Sequence, residues 1–278
     1  MPYQFFYADP HIPRLMGILN VTEDSFSDGG AFLEPDMAFS QAERMLQEGA
    51  KLIDIGGEST RPGSQPIPAD IEIKRVIPVL KRIAAAFPQA GISIDTRKYE
   101  VAKEAIACGA TIINDISALR DDPRLTELLA ENPHVKVILM HMQGEPATMQ
   151  EAPVYEDVVA AISAFFAERI AFAALNGIGE ERLLLDPGIG FGKTLKHNLT
   201  LLANLDKFKV FGLPLVIGAS RKSFIGALDG SSAQDRIGGT LAAALVAAMQ
   251  KADILRVHDV RAHHQFFTTL QALNAEGA

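Results

Sequence analysis

Residues 183–193 read Leu-Leu-Leu-Asp-Pro-Gly-Ile-Gly-Phe-Gly-Lys, and the pattern of this stretch recurs along the chain. The three leucines predict a short buried strand that ends at the carboxylate of Asp186. Pro187 and the glycines after it free the backbone to turn tightly beside a ligand. Taken alone, the stretch fits an ordinary strand-to-helix connection with a capping aspartate as well as it fits an active-site loop. Its recurrence favours the active-site loop.

The same pattern of strand, polar end and helix occurs eight times. Eight short apolar runs alternate with segments of helical spacing, which predicts a (β/α)8 TIM barrel in a single domain over residues 1–278. A doubly wound open sheet is the alternative, but the count of eight and the strongly apolar strands favour the barrel. The predicted strands are 15–20, 52–56, 92–95, 111–114, 135–140, 183–186, 215–218 and 254–257, and the predicted helices are 35–48, 70–86, 99–108, 123–131, 155–175, 196–205, 234–249 and 261–273.

Composition limits the classes of function. The chain has 278 residues, of which 48% are hydrophobic and 22% charged, as expected for a globular protein. The formal net charge of −8 argues against a nucleic-acid surface, and the single cysteine, Cys108, excludes disulfide frameworks. No signal-peptide pattern is visible, and no stretch approaches the roughly 18 to 20 apolar residues that span a bilayer. We therefore expect a cytoplasmic protein with neither nucleic-acid nor membrane partners.

Polar side chains stand at nearly every predicted strand end, where a barrel places its chemistry. Charges buried without partners are costly, so a polar ligand explains this concentration better than a purely structural network does. Asp95, Asn114 and Asp186 can exchange hydrogen bonds with a flat, nitrogen-rich ring, and Arg256 can stack on the face of that ring. The strand-end residues are Asn20, Asp54, Gly56, Asp95, Asn114, His141 or Met142, Asp186, Ser220 with Lys222, and Arg256 with His258.

Cations follow predicted strands seven and eight, where barrels commonly bind phosphate. They are Arg221, Lys222, Arg256 and His258. While the chain stays extended, Gly218, Ser220 and Lys222 would share one face. Ser223 is a candidate cap for a helix start that favours a carboxylate.

Oxygen donors near the first strand suit a metal ion. Asn20 and Asp28 offer ligands for a Mg²⁺ ion that bridges phosphates, whereas no His or Cys cluster suggests zinc. The long polar connections 21–30 and 57–64 are typical of mobile lids. Residues 241–249 are apolar nearly all round, which predicts burial against neighbouring helices or a second subunit.

Residues 16–30 and 54–63 closely resemble the two signature segments of the dihydropteroate synthase family. The family's other motifs follow in order, and the resemblance runs from about residue 14 to residue 260. Ile189 stands where many members have an aromatic residue, a change that we expect to be tolerated. The further motifs are Ile94-Asp95-Thr96, Ile113-Asn114-Asp115, Met140-His141-Met142-Gln143-Gly144, the stretch 183–193, Ser220-Arg221-Lys222-Ser223 and Arg256-Val257-His258-Asp259-Val260.

The resemblance implies a Mg²⁺-dependent, homodimeric transferase of folate synthesis that joins 6-hydroxymethyl-7,8-dihydropterin diphosphate to 4-aminobenzoate. Sulfonamides would compete for the aminobenzoate pocket. Position by position, it implies catalytic roles for Asp95, Lys222, Asp28 and Arg61; pterin contacts from Asp95, Asn114, Met140, Asp186, Lys222 and Arg256; diphosphate contacts from Asn20, Arg256 and His258; aminobenzoate contacts from Phe26, Thr60, Pro62, Phe191, Ser220 and Ser223; and a metal near Asn20 and Asp28. Lys193 is expected to be peripheral to the chemistry.

Two other readings compete with this one. A non-catalytic pterin-binding paralogue would keep the pocket and lose the lids, but both lid segments are intact. A methyl-transfer domain that binds a reduced folate would share the carboxylates but would have no use for Lys222, Arg256 and His258 together. Retention of the lids and the cations favours the synthase.

Overall fold

The computed structural model describes residues 12–22, 34–60 and 63–276, which contain an eight-stranded parallel barrel. Neighbouring strands pair in the order β6-β5-β4-β3-β2-β1-β8-β7, and a bridge between Leu185 and Leu215 joins the two ends. The TIM-barrel prediction is thus confirmed. The strands are β1 Arg14–Asn20, β2 Leu52–Gly56, β3 Gly91–Asp95, β4 Ile112–Asp115, β5 Lys136–Met140, β6 Leu183–Asp186, β7 Val216–Ile217 and β8 Ile254–Val257.

Within the described residues, α-helices follow the strands around the outside. One of them, α7, was not among the predicted helices and lies in the connection after β7. The helices are α1 Glu34–Gln47, α2 Ala69–Ala86, α3 Tyr99–Ala107, α4 Pro123–Glu131, α5 Val158–Leu175, α6 Leu195–Leu202, α7 Ser223–Asp229, α8 Ile237–Met249 and α9 Val260–Glu276.

Alternation along each strand separates the barrel interior from the layer under the helices. The even-numbered residues of β2 face inward, whereas Ile53 and Ile55 pack with the buried side chains of the helices. The floor of the barrel is a small apolar cluster with one residue from each strand except β3. Its members are Met16, Leu52, Ile112, Ile138, Leu184, Val216 and Ile254. Because this floor is filled, the inward-facing residues two positions further along, including Asn114, Asp186 and Arg256, face the mouth.

Helix α5 corrects the expectation that no apolar stretch approaches membrane-spanning length. Its 18 residues, Val158–Leu175, are long and apolar enough to pass a test of length and composition. Its inner face nonetheless packs against the barrel, with Ile162, Phe166 and Ala173 fully buried. Arg169, on the same face, donates hydrogen bonds to the carbonyls of Ala118 and Leu119. These contacts are those of an outer barrel helix.

Local chemistry moves several predicted boundaries. Helix α5 begins at Val158 instead of residue 155 because the Asp157 carboxylate caps it, accepting from the amides of Val159 and Ala160. Strand β7 ends early, at Ile217.

The inner face of α8 is buried, as predicted, but Ile237 is 37% exposed, and a second subunit there stays a prediction. The single-domain prediction also stays untested, because it extends over residues that the structure does not describe.

Candidate active site

Arg256 lies at the centre of the barrel mouth and is held by carboxylates from two strands. Its Nε donates to Asp54 Oδ2 over 2.6 Å, and its Nη2 donates to Asp95 Oδ2 over 2.8 Å. Asn114 Nδ2 donates to the same Asp54 oxygen at 3.0 Å. The sequence places Asp54 at a strand end but gives no role to it. The structure shows that its fully buried carboxylate orients both a cation and an amide of the site.

Burial perturbs the ionisation of the groups around this centre. Burial raises the pKa of Asp95 to about 7, against the Arg256 charge and with help from the Asp54 charge. Burial lowers the pKa of Lys222 to about 8, and the neighbouring Arg256 adds to this effect. The pKa of Asp186 is raised by burial, although the amide of Gly188 and the charge of Lys222 oppose the shift. Perturbed groups collected in one cleft are typical of a functional site.

The loop after β6 is shaped by glycine. The amide of Gly188 donates to Asp186 Oδ1 over 2.7 Å, which fixes the carboxylate at the end of its strand. Gly188 has a φ of 66°, and a Cβ at this position would lie 2.0 Å from the carbonyl oxygen of His141. A side chain is therefore excluded both by conformation and by space. This explains the Pro-Gly pair directly after Asp186.

One pocket at the mouth brings together all six residues predicted to bind the pterin. Sequence reasoning missed Ile116 and gave no specific contact to Gly188 or Gly218, and Ile189 was noted only as a departure from the family pattern. Ile116 could have been found from the strand period, since it is two positions beyond Asn114. The lining residues are Thr60, Asp95, Asn114, Ile116, Met140, Asp186, Gly188, Ile189, Phe191, Gly218, Lys222 and Arg256.

Phe191 and Lys222 form one wall of this pocket. The Lys222 ammonium lies 4.1 Å from the centroid of the Phe191 ring, within the range of a cation–π contact. Phe191 also joins an apolar cluster with Ile116 and Met140. The wall therefore offers a flat apolar face beside a positive charge.

The connection after β7 departs from the prediction. Ser220 and Arg221 form a turn, with Arg221 at a φ of 58°, so the extended face expected for Gly218, Ser220 and Lys222 is wrong beyond residue 219. Ser220 Oγ instead lies 3.1 Å from His258 Nδ1 and accepts from the His258 amide at 3.2 Å. The tertiary hydrogen bonds of Ser220 thus outweigh the strand period.

The expected cap at the start of α7 is also wrong. Ser223 is the first residue of that helix and is exposed, while Lys222 holds the capping position without a side-chain cap hydrogen bond. Next to it, the Arg221 guanidinium pairs with both carboxylate oxygens of Asp259. Burial, together with the charge of Arg256, lowers the pKa of His258 to about 3, which favours a neutral imidazole at neutral pH.

The two predicted lids fall partly outside the described residues. Phe26, Asp28, Arg61 and Pro62 lie there, so their predicted roles stay predictions. Asn20 is described, and a Cβ at Gly56 would lie 3.8 Å from its Oδ1 and 3.7 Å from Asp95 Oδ2. Asn20 therefore flanks the mouth beside Asp95.

A buried ion network anchors the base of the second lid. Lys98 Nζ pairs with Glu58 at 2.6 Å and with Glu72, and Glu58 Oε2 also accepts from the Ile67 amide at 2.8 Å. Burial raises the pKa of Glu72, although the contact with Lys98 opposes the shift. This network holds the chain on both sides of residues 61–62.

In the described ranges, no three His, Cys, Asp or Glu side chains gather as a metal site. Asn20 nevertheless fits Mg²⁺, because a magnesium ion on a diphosphate takes most of its ligands from phosphate and water and needs few from the protein. Its amide oxygen is a hard, neutral donor at the edge of the barrel mouth.

A barrel whose mouth joins carboxylates, an amide and cations in this way defines an enzyme for a nitrogen-rich ring and an anion. Comparison with known proteins agrees, because the pterin binding enzyme family matches residues 16–258. The chain is 52% identical to the dihydropteroate synthase of Escherichia coli over 249 residues, which are 90% of this chain and 87% of the relative. The chain belongs to the pterin-binding enzymes and, within them, to the dihydropteroate synthase family.

Solved structures agree in fold and sequence. A Yersinia pestis dihydropteroate synthase in complex with a sulfonamide drug is 46% identical, with a TM-score of 0.88 over 96% of this chain and 95% of the other. A Xanthomonas albilineans dihydropteroate synthase with 4-aminobenzoic acid is also 46% identical, with a TM-score of 0.88 over 95% of this chain and 93% of the other. At this identity the likeness extends beyond the fold to the family.

Proposed function

We propose that the protein is a dihydropteroate synthase, which condenses 6-hydroxymethyl-7,8-dihydropterin diphosphate with 4-aminobenzoate and releases diphosphate. The observation that carries the proposal is the pocket in which Asp95, Asn114, Asp186, Lys222 and Arg256 converge. Carboxylates and an amide at one end of a pocket suit the donors and acceptors of a pterin ring. The cations beside them suit the diphosphate that leaves.

The pterin would lie against strand ends that hold their own geometry. Asp186 is fixed by the Gly188 amide and Asn114 by Asp54, so both polar groups are pre-oriented before substrate arrives. Met140 and Ile116 supply apolar contact beneath the ring. A pre-formed site of this kind loses little free energy to ordering when the ring binds.

The leaving diphosphate would be held at the side of Asn20, Arg256 and His258. His258 has a pKa lowered by burial and contacts Ser220 through Nδ1, so a neutral imidazole can donate one N–H to a phosphate oxygen without desolvating a further charge. We expect Asn20 and Asp28 to lie near a Mg²⁺ ion. When bound, Mg²⁺ would neutralise negative charge on the diphosphate as it departs.

The residues favour departure of diphosphate before the amine attacks. Loss of diphosphate leaves positive charge on the pterin methylene, and the ionised Asp95 carboxylate stabilises that charge across the pocket. Arg256 keeps Asp95 in place for this role through its 2.8 Å hydrogen bond. The lids would exclude water, which competes with the amine for the same carbon. Water accepts the proton that the amine loses after attack, because no histidine lines the described pocket to accept that proton.

4-Aminobenzoate would enter over Phe191 and Thr60, towards the start of α7. Phe191 offers a face for the benzoate ring, and Lys222 beside it offers charge for the carboxylate. Ser223, exposed at the first turn of α7, together with Ser220, Phe26, Pro62 and Arg61, completes the predicted aminobenzoate subsite. A sulfonamide resembles this substrate in shape and charge, so it would compete for the same face.

We also propose a homodimer and a cytoplasmic location. The homodimer proposal rests on the resemblance to the family and on the apolar residues 241–249 of α8. A non-catalytic pterin-binding paralogue is the second candidate. The cations Lys222, Arg256 and His258 argue against the paralogue, because a protein that only binds pterin has no need of these three cations together.

One assay decides between the enzyme and the paralogue. The protein is mixed with the dihydropterin diphosphate, 4-aminobenzoate and Mg²⁺, and diphosphate release is followed against a protein-free reaction. The proposed function requires release that depends on 4-aminobenzoate. Tight pterin binding without any release above the protein-free reaction identifies the paralogue instead.

A further inference from the structure

Lys193 is a buried cation that the proposed chemistry leaves unused. Its side chain is only 3% exposed, and burial lowers the pKa of its ammonium to about 7, although the charge of Asp186 opposes the shift. A buried ammonium is costly unless each N–H finds an acceptor. The contacts of Nζ therefore indicate what the residue does.

The three N–H groups of Lys193 meet three acceptors. Nζ lies 2.8 Å from the Phe191 carbonyl oxygen, 3.3 Å from the His141 carbonyl oxygen and 3.1 Å from His141 Nδ1. In its protonated state Lys193 only donates, so Nδ1 of His141 then accepts and the imidazole proton sits on Nε2. The neutral state this requires is also the one that burial favours for His141. Lys193 thereby connects the loop after β6 to the loop after β5.

The loop that Lys193 holds has one internal backbone hydrogen bond, from the Phe191 amide to the Gly188 carbonyl, and otherwise depends on side chains. Gly188, Gly190 and Gly192 all have φ between 61° and 84°, a region that glycine enters and leaves freely. Its peptide groups are bound by side chains instead of by regular secondary structure. Tyr155 donates its hydroxyl to the Gly192 carbonyl at 3.0 Å. Lys193 and Tyr155 thus hold the peptide groups on consecutive residues, 191 and 192.

The residue between these glycines is Phe191, the shared wall of the pocket. Its carbonyl is bound by Lys193 on one side of the chain, while its ring lies 4.1 Å from the Lys222 ammonium on the pocket side. Movement of the carbonyl would carry the ring with it, because both belong to one residue in a glycine-rich segment. Asn114 and Met140 stand on β-strands and do not depend on this anchor, whereas the Asp186 carboxylate is held by the Gly188 amide, at the strand end of the loop and away from Phe191.

We propose that Lys193, assisted by the Tyr155 hydroxyl, is a positioning residue that holds the Phe191 ring as the wall of the 4-aminobenzoate subsite. The inference rests on the proposed function and deepens it. It predicts a selective defect, in which the second substrate binds poorly while the pterin subsite on the strands stays intact.

The test is steady-state kinetics of Lys193→Met at a temperature well below its unfolding midpoint. We expect the KM for 4-aminobenzoate to rise about tenfold, as for loss of one charged hydrogen bond, with kcat and the pterin KM within about threefold of wild type. Lys196→Met is the matched control, because Lys196 is exposed on the next turn of chain and should leave every constant unchanged.

A structural role alone would give a different result. Ile83→Val removes one buried methyl group from α2, far from the pocket, and should lower stability without changing the KM for 4-aminobenzoate. An unchanged KM in folded Lys193→Met, or an equal rise in Ile83→Val, overturns the proposal. If Lys193→Met does not fold, Tyr155→Phe decides, since it removes only the hydroxyl. A KM rise of about threefold supports the proposal, and an unchanged KM overturns it.

A measurement of 4-aminobenzoate binding distinguishes failure of this inference from failure of the proposed function. The Kd of 4-aminobenzoate, measured by calorimetry with pterin and diphosphate present, needs no turnover. A wild-type protein that binds 4-aminobenzoate but releases no diphosphate refutes the synthase alone, and the variants then decide the role of Lys193 through Kd. A wild-type protein that does not bind 4-aminobenzoate refutes both.

Discussion

The Arg256 guanidinium donates to Asp54 over 2.6 Å, although 202 positions separate these two residues in the sequence. Asp54 is fully buried and holds Asn114 with the same oxygen, so one carboxylate beneath the pocket orients two groups that face the pterin. The outcome is a site whose geometry depends on a residue that does not line it.

Asp54→Asn should therefore destabilise the protein strongly. The change keeps the shape of the side chain but removes one of the two charges that compensate the buried Arg256, and breaking such a pair costs about 3 kcal/mol. Urea unfolding measures the loss, and calorimetry should show weaker pterin binding. Asp70→Asn is the control, because the pair of Asp70 with Lys74 is exposed. Equal stabilities for the two variants would contradict a structural role for Asp54.

Asp186→Ala and Asp28→Ala should separate binding from turnover. Removing the Asp186 carboxylate takes away a pterin partner that the Gly188 amide pre-orients, so the Kd for pterin should rise by at least about tenfold. Asp28→Ala should lower kcat with pterin affinity largely kept, as expected for a residue near the metal. Calorimetry and steady-state kinetics check the two effects. Equal loss of pterin affinity in both variants would show that the first loop is misassigned.

His141→Gln should reduce the sensitivity of the protein to acid. Burial, together with the charge of Lys193, lowers the pKa of His141 to about 3, so below about pH 6.5 the unfolded chain takes up a proton that the folded chain does not. The contribution of neutral His141 to the free energy of unfolding is fully present above about pH 6.5 and is lost as the pH falls from there towards 3. Between pH 6.5 and 5 the loss is about 2 kcal/mol, and glutamine, which can still accept from Lys193, should remove it.

Urea unfolding of wild type and His141→Gln at several pH values gives this difference. Wild type and variant must be compared at each pH because Asp95 has the opposite effect. Its pKa is raised to about 7, so its contribution to the stability of the fold decreases as the pH rises. His134→Gln, at an exposed position on the loop before β5, should follow wild type. A pH slope unchanged in His141→Gln would mean that the imidazole is not held neutral.

Removal of Mg²⁺ should stop catalysis without unfolding the barrel. Excess EDTA should abolish diphosphate release, and added Mg²⁺ should restore it, while the unfolding temperature stays the same because the described fold contains no structural metal cluster. Asn20→Ala should raise the Mg²⁺ concentration that gives half-maximal activity. Full activity in EDTA would refute the proposed metal.

Much of the fold could be predicted because its signals are local. Apolar runs of strand length alternating with helical spacing predicted all eight strands, and the polar strand ends predicted Asp95, Asn114, Asp186 and Arg256 as pocket residues, which the structure confirms. Two predictions were wrong: that no apolar stretch approaches membrane-spanning length, and that Ser223 caps α7. The charged pair Glu168-Arg169 interrupts the apolar stretch of α5, and the turn at Arg221 places Lys222 at the cap position of α7.

The sequence by itself determined the barrel, the order of its motifs and the strand ends that face the mouth, because strand and helix periods follow from covalent geometry over a few residues. Only the tertiary structure decided that Asp54 meets Arg256, that Ser220 turns towards His258, and that Lys193 lies beneath Phe191. Such pairings form through space once the barrel closes. They are selected by the need of buried polar groups for partners, which no local pattern encodes.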